Sequence, residues 1–268
     1  MPHAAERCVS DSRKFAIQCH GCALNACAKN CCRERYTWPE KLTAATAPLL
    51  LYYITDRSQF PGTELNRRDL LLRKISEAAS EGIDYIQIRE KDLPARELES
   101  LSRQATRIIR DSRNSTRLLI NSRTDVAIAS EAHGVHLTST DISPTDARKI
   151  WREAQSSEPI IAVSCHTEAD VAAAESASIH VAAGAHGRPA SANFVVFGPV
   201  FGKRGTAAAG LEQLQKACRH STPVLALGGV TTDNAHLCIE AGASGIAGIR
   251  LFQEGKVAEV VTKLRETR

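Results

Sequence analysis

The sequence predicts a closed (β/α)8 barrel preceded by a cysteine-rich extension, and three observations carry that prediction. Short apolar runs alternate with segments of helical periodicity eight times from Leu49 onward. Regular alternation over roughly 220 residues implies parallel strands joined by right-handed crossovers, and eight units of this size favour a closed barrel over an open sheet. Polar side chains gather directly after strands one to seven, the ends at which such barrels place their chemistry.

Taken in order, Leu49–Ile54 is an apolar strand with Thr55-Asp56-Arg57 at its carboxyl end. Residues 70–81 have helical spacing (Leu71, Leu72, Ile75, Ala78, Ala79) and stop at Gly82. Strand two spans 84–88 and is followed by Arg89, Glu90 and Lys91. Together with Gln87 these put two cations and an amide at one strand end. Charge there is costly to bury unpaired, so it should face solvent or an anionic ligand. A helix runs from Leu93-Pro94 to near Asp111 on the stripe Leu98, Leu101, Ala105, Ile108 and Ile109.

Strand three is Arg117–Ile120, followed by Asn121-Ser122-Arg123-Thr124-Asp125 and a short helix. Strand four is Gly134–Leu137, with His136 read as a core residue, Asp141 shortly after, and Pro144 opening a helix. Strand five is Ile160–Val163, then Ser164-Cys165-His166-Thr167 and a helix over 168–176. Residues 178–193, with Gly184, Gly187 and Pro189, read as an insertion, within which the strand-like piece 179–182 has no place in the order. Strand six is Phe194–Phe197 before Gly198-Pro199-Val200-Phe201, and strand seven is Val224–Leu227 before Gly228-Gly229. Strand eight is Gly245–Ile249, and a final helix lies within 255–265.

Composition narrows the function classes. A net charge of +4 is too small to indicate a nucleic-acid partner. There is no run of 18 apolar residues, so no membrane span is expected. No apolar signal-peptide core stands at the N-terminus, so the expected compartment is the cytoplasm. Residues 1–48 differ from the rest: Cys8, Cys19, Cys22, Cys27, Cys31 and Cys32 all fall there. Cys19-His20-Gly21-Cys22 is a C-x2-C pair able to bind zinc, but a second well-spaced pair is missing. Nothing marks the chain as secreted, so disulfides are not expected. The segment reads as a disordered extension, with Thr43–Pro48 as linker to a barrel over 49–268.

The strand-end motifs resemble those of one family. Gln87-Ile88-Arg89-Glu90-Lys91 resembles the Q-x-R-E-K signature of the thiamine phosphate synthase and thiazole tautomerase superfamily. Tyr53-Ile54-Thr55-Asp56 resembles its opening run, and Ile120-Asn121-Ser122-Arg123-Thr124-Asp125 its I-N-D-R-x-D. Gly134-Val135-His136-Leu137 with Asp141, Ser164-Cys165-His166-Thr167, Gly198-Pro199-Val200-Phe201 and Gly228-Gly229-Val230 follow in family order. The resemblance implies a transferase that joins hydroxymethylpyrimidine diphosphate to thiazole phosphate with release of pyrophosphate, using Mg2+. It implies that Arg89 and Lys91 hold the pyrophosphate and that Gln87 and Asn121 bind the pyrimidine or its diphosphate. It further implies that Ser164 touches the pyrophosphate, that Asp141 holds the metal, and that Gly228 and Gly229 offer N–H groups to the thiazole phosphate. Lys203 stands near the family's cation after strand six, in shifted register.

Two departures keep other readings open. The family's second metal carboxylate is Ser122 here, and a neutral hydroxyl is a poor Mg2+ ligand. The strand-eight end reads Ala247-Gly248-Ile249-Arg250, where the family offers a serine to phosphate. The alternatives are a metal-independent thiazole tautomerase, with His166 as its acid/base group, and a non-catalytic binder of phosphates or thiamine precursors. Cys165 has no partnered base in the sequence and is not assigned as a nucleophile. Expected partners are small phosphorylated molecules, with no nucleic acid or membrane and with a homo-oligomer left open.

Overall fold

The computed structural model describes residues 48–112, 114–155, 157–176, 192–202 and 207–267. The expected disorder and C-x2-C pair of the extension, the insertion up to residue 191 and Lys203 lie outside the described residues. The eight strands are β1 (Leu50–Ile54), β2 (Tyr85–Ile88), β3 (Arg117–Asn121), β4 (Gly134–Leu137), β5 (Ile160–Cys165), β6 (Phe194–Phe197), β7 (Val224–Leu227) and β8 (Gly245–Gly248). Each pairs in parallel with the next, and β8 returns to β1 in the register Leu50↔Gly245 to Tyr53↔Gly248, closing the barrel. The expected fold class is therefore present.

Both faces of each strand are buried, as a parallel sheet covered by helices requires. Outward residues such as Leu51, Tyr53, Ile86, Ile88, Leu118, Ile120, Val195 and Ile246 form one cluster with the helices' apolar stripes. Inward residues fill the barrel. Tyr52 meets Phe194 edge-on at 5.5 Å between ring centroids, and Tyr85 lies 4.7 Å from Phe194. His136 stacks on Tyr52 at 5.8 Å. This aromatic layer is the floor on which the polar strand ends stand.

The surrounding helices are α1 (Glu64–Ser80), α2 (Ala95–Asp111), α3 (Thr124–Ala129), α4 (Pro144–Ala154), α5 (Glu168–Ser176), α6 (Gly210–Ala217), α7 (Ala235–Glu240), α8 (Arg250–Gln253) and α9 (Val257–Glu266). Helix α1 starts six residues before the expected Leu70. Its first turns are polar and exposed, so no apolar stripe announces them, and Thr63 starts the helix by accepting the Asn66 N–H. Strand β5 continues two residues beyond the expected Val163, because Ser164 and Cys165 pair with Val196 and Phe197. Ser164 therefore belongs to the barrel wall rather than to a loop. Strand β3 gains Asn121 in the same way, through pairing with His136. Strand β8 ends one residue short, at Gly248, because Ile249 already caps α8.

Candidate active site

Five strands deliver one line of hydrogen bonds across the carboxyl end of the barrel, buried at its centre and half-buried at both ends. Ser164 Oγ lies 2.7 Å from His136 Nε2, and His136 Nδ1 lies 2.9 Å from the Tyr52 hydroxyl. Tyr52 donates to Gln87 Oε1 at 3.1 Å. Gln87 Nε2 donates to Asn121 Oδ1 at 2.8 Å, and Asn121 Nδ2 donates to Ser122 Oγ at 2.9 Å. The inward positions of β1 to β5 bring these side chains together, since only alternate residues of a strand face the barrel axis. Burial, with the Arg89 charge nearby, pulls His136 down to about 3, so its ring is neutral near pH 7. Burial pushes Tyr52 well above the usual phenol range, so it remains a neutral hydroxyl.

Arg89 and Lys91 follow on the loop after β2, with the Arg89 charge close enough to act on His136. Arg89 is half-buried and Lys91 is exposed, and neither forms an ion pair among the described residues. Glu90, between them, points the other way. It is 4% exposed, accepts the Thr55 hydroxyl at 2.6 Å, and takes the Arg57 backbone N–H and Nη1. Arg57 also spans Glu64 and Asp92, and the Asp92 carboxylate leads these partners in holding its pKa above the usual guanidinium value. Thr55 Oγ1 in turn accepts the Arg89 N–H at 3.1 Å. The fourth residue of the signature, Glu90, is thus structural: it locks the loops after β1 and β2 together and fixes the backbone that carries Arg89.

Asp141 sits in the loop after β4, with Oδ2 accepting Thr138 N at 2.6 Å and Thr138 Oγ1 at 2.8 Å. Ser122 has a left-handed backbone, φ 60°, held by its N–H to the His136 carbonyl at 2.8 Å. Among the described residues no cluster of three or more His, Cys, Asp or Glu forms a metal site. Asp141 Oδ1 has no hydrogen-bond partner among the described residues, and Ser122 offers a hydroxyl in place of a carboxylate. That set fits an ion arriving with its own phosphate ligands rather than one caged by protein.

Gly228 and Gly229 have φ of 95° and 68°. A Cβ on Gly228 would stand 2.6 Å from Pro199 Cβ, and one on Gly229 would stand 2.7 Å from Phe201 Cβ. Only glycine lets this turn pack on the segment after β6. No acceptor among the described residues takes either N–H. His166 lies at the rim, with Nδ1 donating to the Gly198 carbonyl at 2.6 Å, and it touches no other residue of the network. Cys165 faces outward into the helix layer, and burial pushes its thiol up to about 12, so it is no nucleophile.

The structure therefore brings Gln87, Asn121 and Ser164 together, sets Arg89 near them and leaves Lys91 exposed on the loop after β2. Asp141 and His166 remain in their own loops. The residues that sequence reasoning missed are Tyr52 and His136, the centre of the line. His136, read as core, is indeed 2% exposed, but it bonds on both ring nitrogens. A polar residue at an inward position of a barrel strand was the available signal.

Comparison with known proteins agrees with this geometry. The sequence profile of the family described as thiamine monophosphate synthase matches residues 51–252. A Geobacter sulfurreducens protein provisionally named thiamine-phosphate synthase is 39% identical over 74% of this chain and 83% of its own. The thiamine-phosphate synthase of Moorella thermoacetica is 33% identical over 73% of this chain and 87% of its own. Thiamine phosphate pyrophosphorylase from Pyrococcus furiosus superposes with a TM-score of 0.65 at 28% identity, covering 82% of this chain and 95% of that one. With the family's strand-end motifs standing around one barrel mouth, the chain belongs to the thiamine monophosphate synthase family.

Proposed function

We propose that this protein joins a hydroxymethylpyrimidine diphosphate to a thiazole phosphate with release of pyrophosphate. The observation that carries the reading is Arg89, a cation without an ion-pair partner among the described residues, fixed beside a line of uncharged donors. In the reaction the bond between the pyrimidine methylene carbon and the diphosphate oxygen breaks. Negative charge grows on the leaving group, and the thiazole nitrogen gives its lone pair to the methylene carbon. Arg89 and Lys91 meet the growing charge with preorganised positive charge, and Thr55 and Glu90 hold the Arg89 backbone in place before substrate arrives. Gln87 and Asn121 present an amide edge for a heterocycle, and Gly228 and Gly229 present N–H groups to the second substrate's phosphate. Mg2+, when bound, neutralises diphosphate charge, and Asp141 with Ser122 would hold it.

The test is formation of thiamine phosphate from the two precursors, with and without Mg2+. Wild type should turn over only with Mg2+, Arg89→Ala should lose at least about 100-fold in kcat, and Asp141→Ala should lose Mg2+-dependent turnover. The neutral Ser122 favours one second reading, metal-free isomerisation of a thiazole carboxylate phosphate. Thiazole isomerisation in EDTA that is lost in His166→Asn, with no thiamine phosphate formed, would establish it.

A further inference from the structure

The hydrogen-bond line has a direction, which follows by proton counting from the orientation of the Gln87 and Asn121 amides. Tyr52 has one hydroxyl proton and gives it to Gln87 Oε1. The 2.9 Å contact between the Tyr52 oxygen and His136 Nδ1 is then a bond only if Nδ1 carries the ring proton. A neutral imidazole has one N–H, so Nε2 is bare and the 2.7 Å contact to Ser164 Oγ must be donated by Ser164. All donors run one way: Ser164 to His136, Tyr52, Gln87, Asn121 and Ser122. The only hydroxyl proton left over is that of Ser122, at the far end.

This arrangement suits no anion at Ser164, whose proton is spent inward. The same heavy-atom positions admit one other complete pattern. If the Gln87 and Asn121 amides turn over and the His136 proton moves to Nε2, every donor reverses. Ser122 then donates inward, and the Ser164 proton is released outward. A mixed pattern leaves two acceptors or two donors facing each other in the barrel, where an unmatched polar pair is costly.

We propose that Tyr52 is the positioning residue of a two-state relay in which an anion bound at Ser164 reverses the whole line. The proposal rests on the functional reading above, with Ser164 meeting a diphosphate oxygen as the family motif implies. Tyr52 is the indispensable member, because its single hydroxyl both donates and accepts and so transmits polarity between His136 and Gln87. A Phe at 52 retains the ring contacts to Phe194 and Tyr85 and cuts the line in two.

The experiment uses the full chain labelled with 15N-histidine, with His136 assigned by the signal lost in His136→Asn. Inorganic pyrophosphate without metal is the probe, and calorimetry fixes its affinity. The free protein should show the proton on Nδ1, and protein saturated with pyrophosphate should show it on Nε2. The Asn121 side-chain amide resonances, followed with 15N-asparagine, should shift with pyrophosphate in wild type and stay still in Tyr52→Phe. Pyrophosphate that binds while the His136 tautomer stays unchanged overturns the relay and leaves the functional reading standing. An Asn121 response surviving in Tyr52→Phe also overturns the relay. Absence of pyrophosphate binding without metal overturns the relay, and absence of binding with Mg2+ added as well overturns both. If Tyr52→Phe does not fold, the tautomer measurement on the unaltered protein decides alone.

Discussion

Ser122 holds a left-handed backbone at the site's edge, a conformation that Asp and Asn tolerate better than Ser. Replacing it by Asp should therefore change unfolding free energy by less than about 0.5 kcal/mol. It should also lower the Mg2+ concentration for half-maximal turnover, because a second carboxylate joins Asp141. Urea unfolding and a Mg2+ titration check the two halves. Gln87, Asn121 and Ser164 were legible in sequence because each interrupts an apolar run at its carboxyl end. Tyr52 and His136 were not, because both faces of these strands are buried and alternation cannot separate barrel interior from helix layer. Glu90 was legible as a charge but not as a buried one: Arg57, which neutralises it, and Thr55, which donates to it, lie on a different loop.

That loop pairing sets the strongest effect expected of any element. Arg57→Met would leave Glu90 buried without its cation, and removing one partner of a buried pair costs about 3–5 kcal/mol. Arg57→Met combined with Glu90→Met should recover most of that loss in urea unfolding, while kcat stays low because Thr55, which takes the Arg89 N–H, has lost the carboxylate that orients it. The order of strands and helices was readable from periodicity, since each strand is a short apolar run bounded by polar residues. The start of α1 was hidden because its first turns carry Asn66, Arg67 and Arg68 rather than an apolar face. The end of β5 was hidden because Ser164 looks like loop chemistry while pairing as strand.

At the scale of the whole molecule, acid should weaken the barrel in a way traceable to His133. Its Nδ1 accepts the Leu118 N–H at 3.0 Å, and burial, with Arg117 and Arg110 adding, pulls it down to about 4. Between that value and an unfolded value of about 6.5, the unfolded chain holds the extra proton. This contribution is therefore complete above about pH 6.5 and is lost as pH falls toward 4. His136 acts in the same direction, and His220, raised by Glu175, acts oppositely. His133→Asn keeps an acceptor for Leu118 and removes the proton. Its slope of stability against pH between 6 and 4.5 should be shallower than wild type by up to about 1.4 kcal/mol per pH unit, less for the solvated edge of the ring, as read by urea unfolding across that range. Removing residues 1–47 should leave melting temperature and turnover unchanged, because the buried chain starts at Leu49; a truncated protein that aggregates or loses activity would refute that boundary. The closure of the sheet, made by the β1–β8 pairing, was legible only as a count of eight, and the last helix adds contacts beside that seam. Arg265 donates to the Leu49 and Gly82 carbonyls at 3.2 and 3.0 Å and pairs with Asp84, whose carboxylate also takes the Leu51 N–H. The first strand and the last helix thus end within one side chain of each other. Sealed in this way, the barrel has no preferred place to begin. A short linker from the end of α9 to Leu49 would span the gap, and a circularly permuted chain opened at an exposed loop on the face opposite the site should close the same eight strands around the same hydrogen-bonded line.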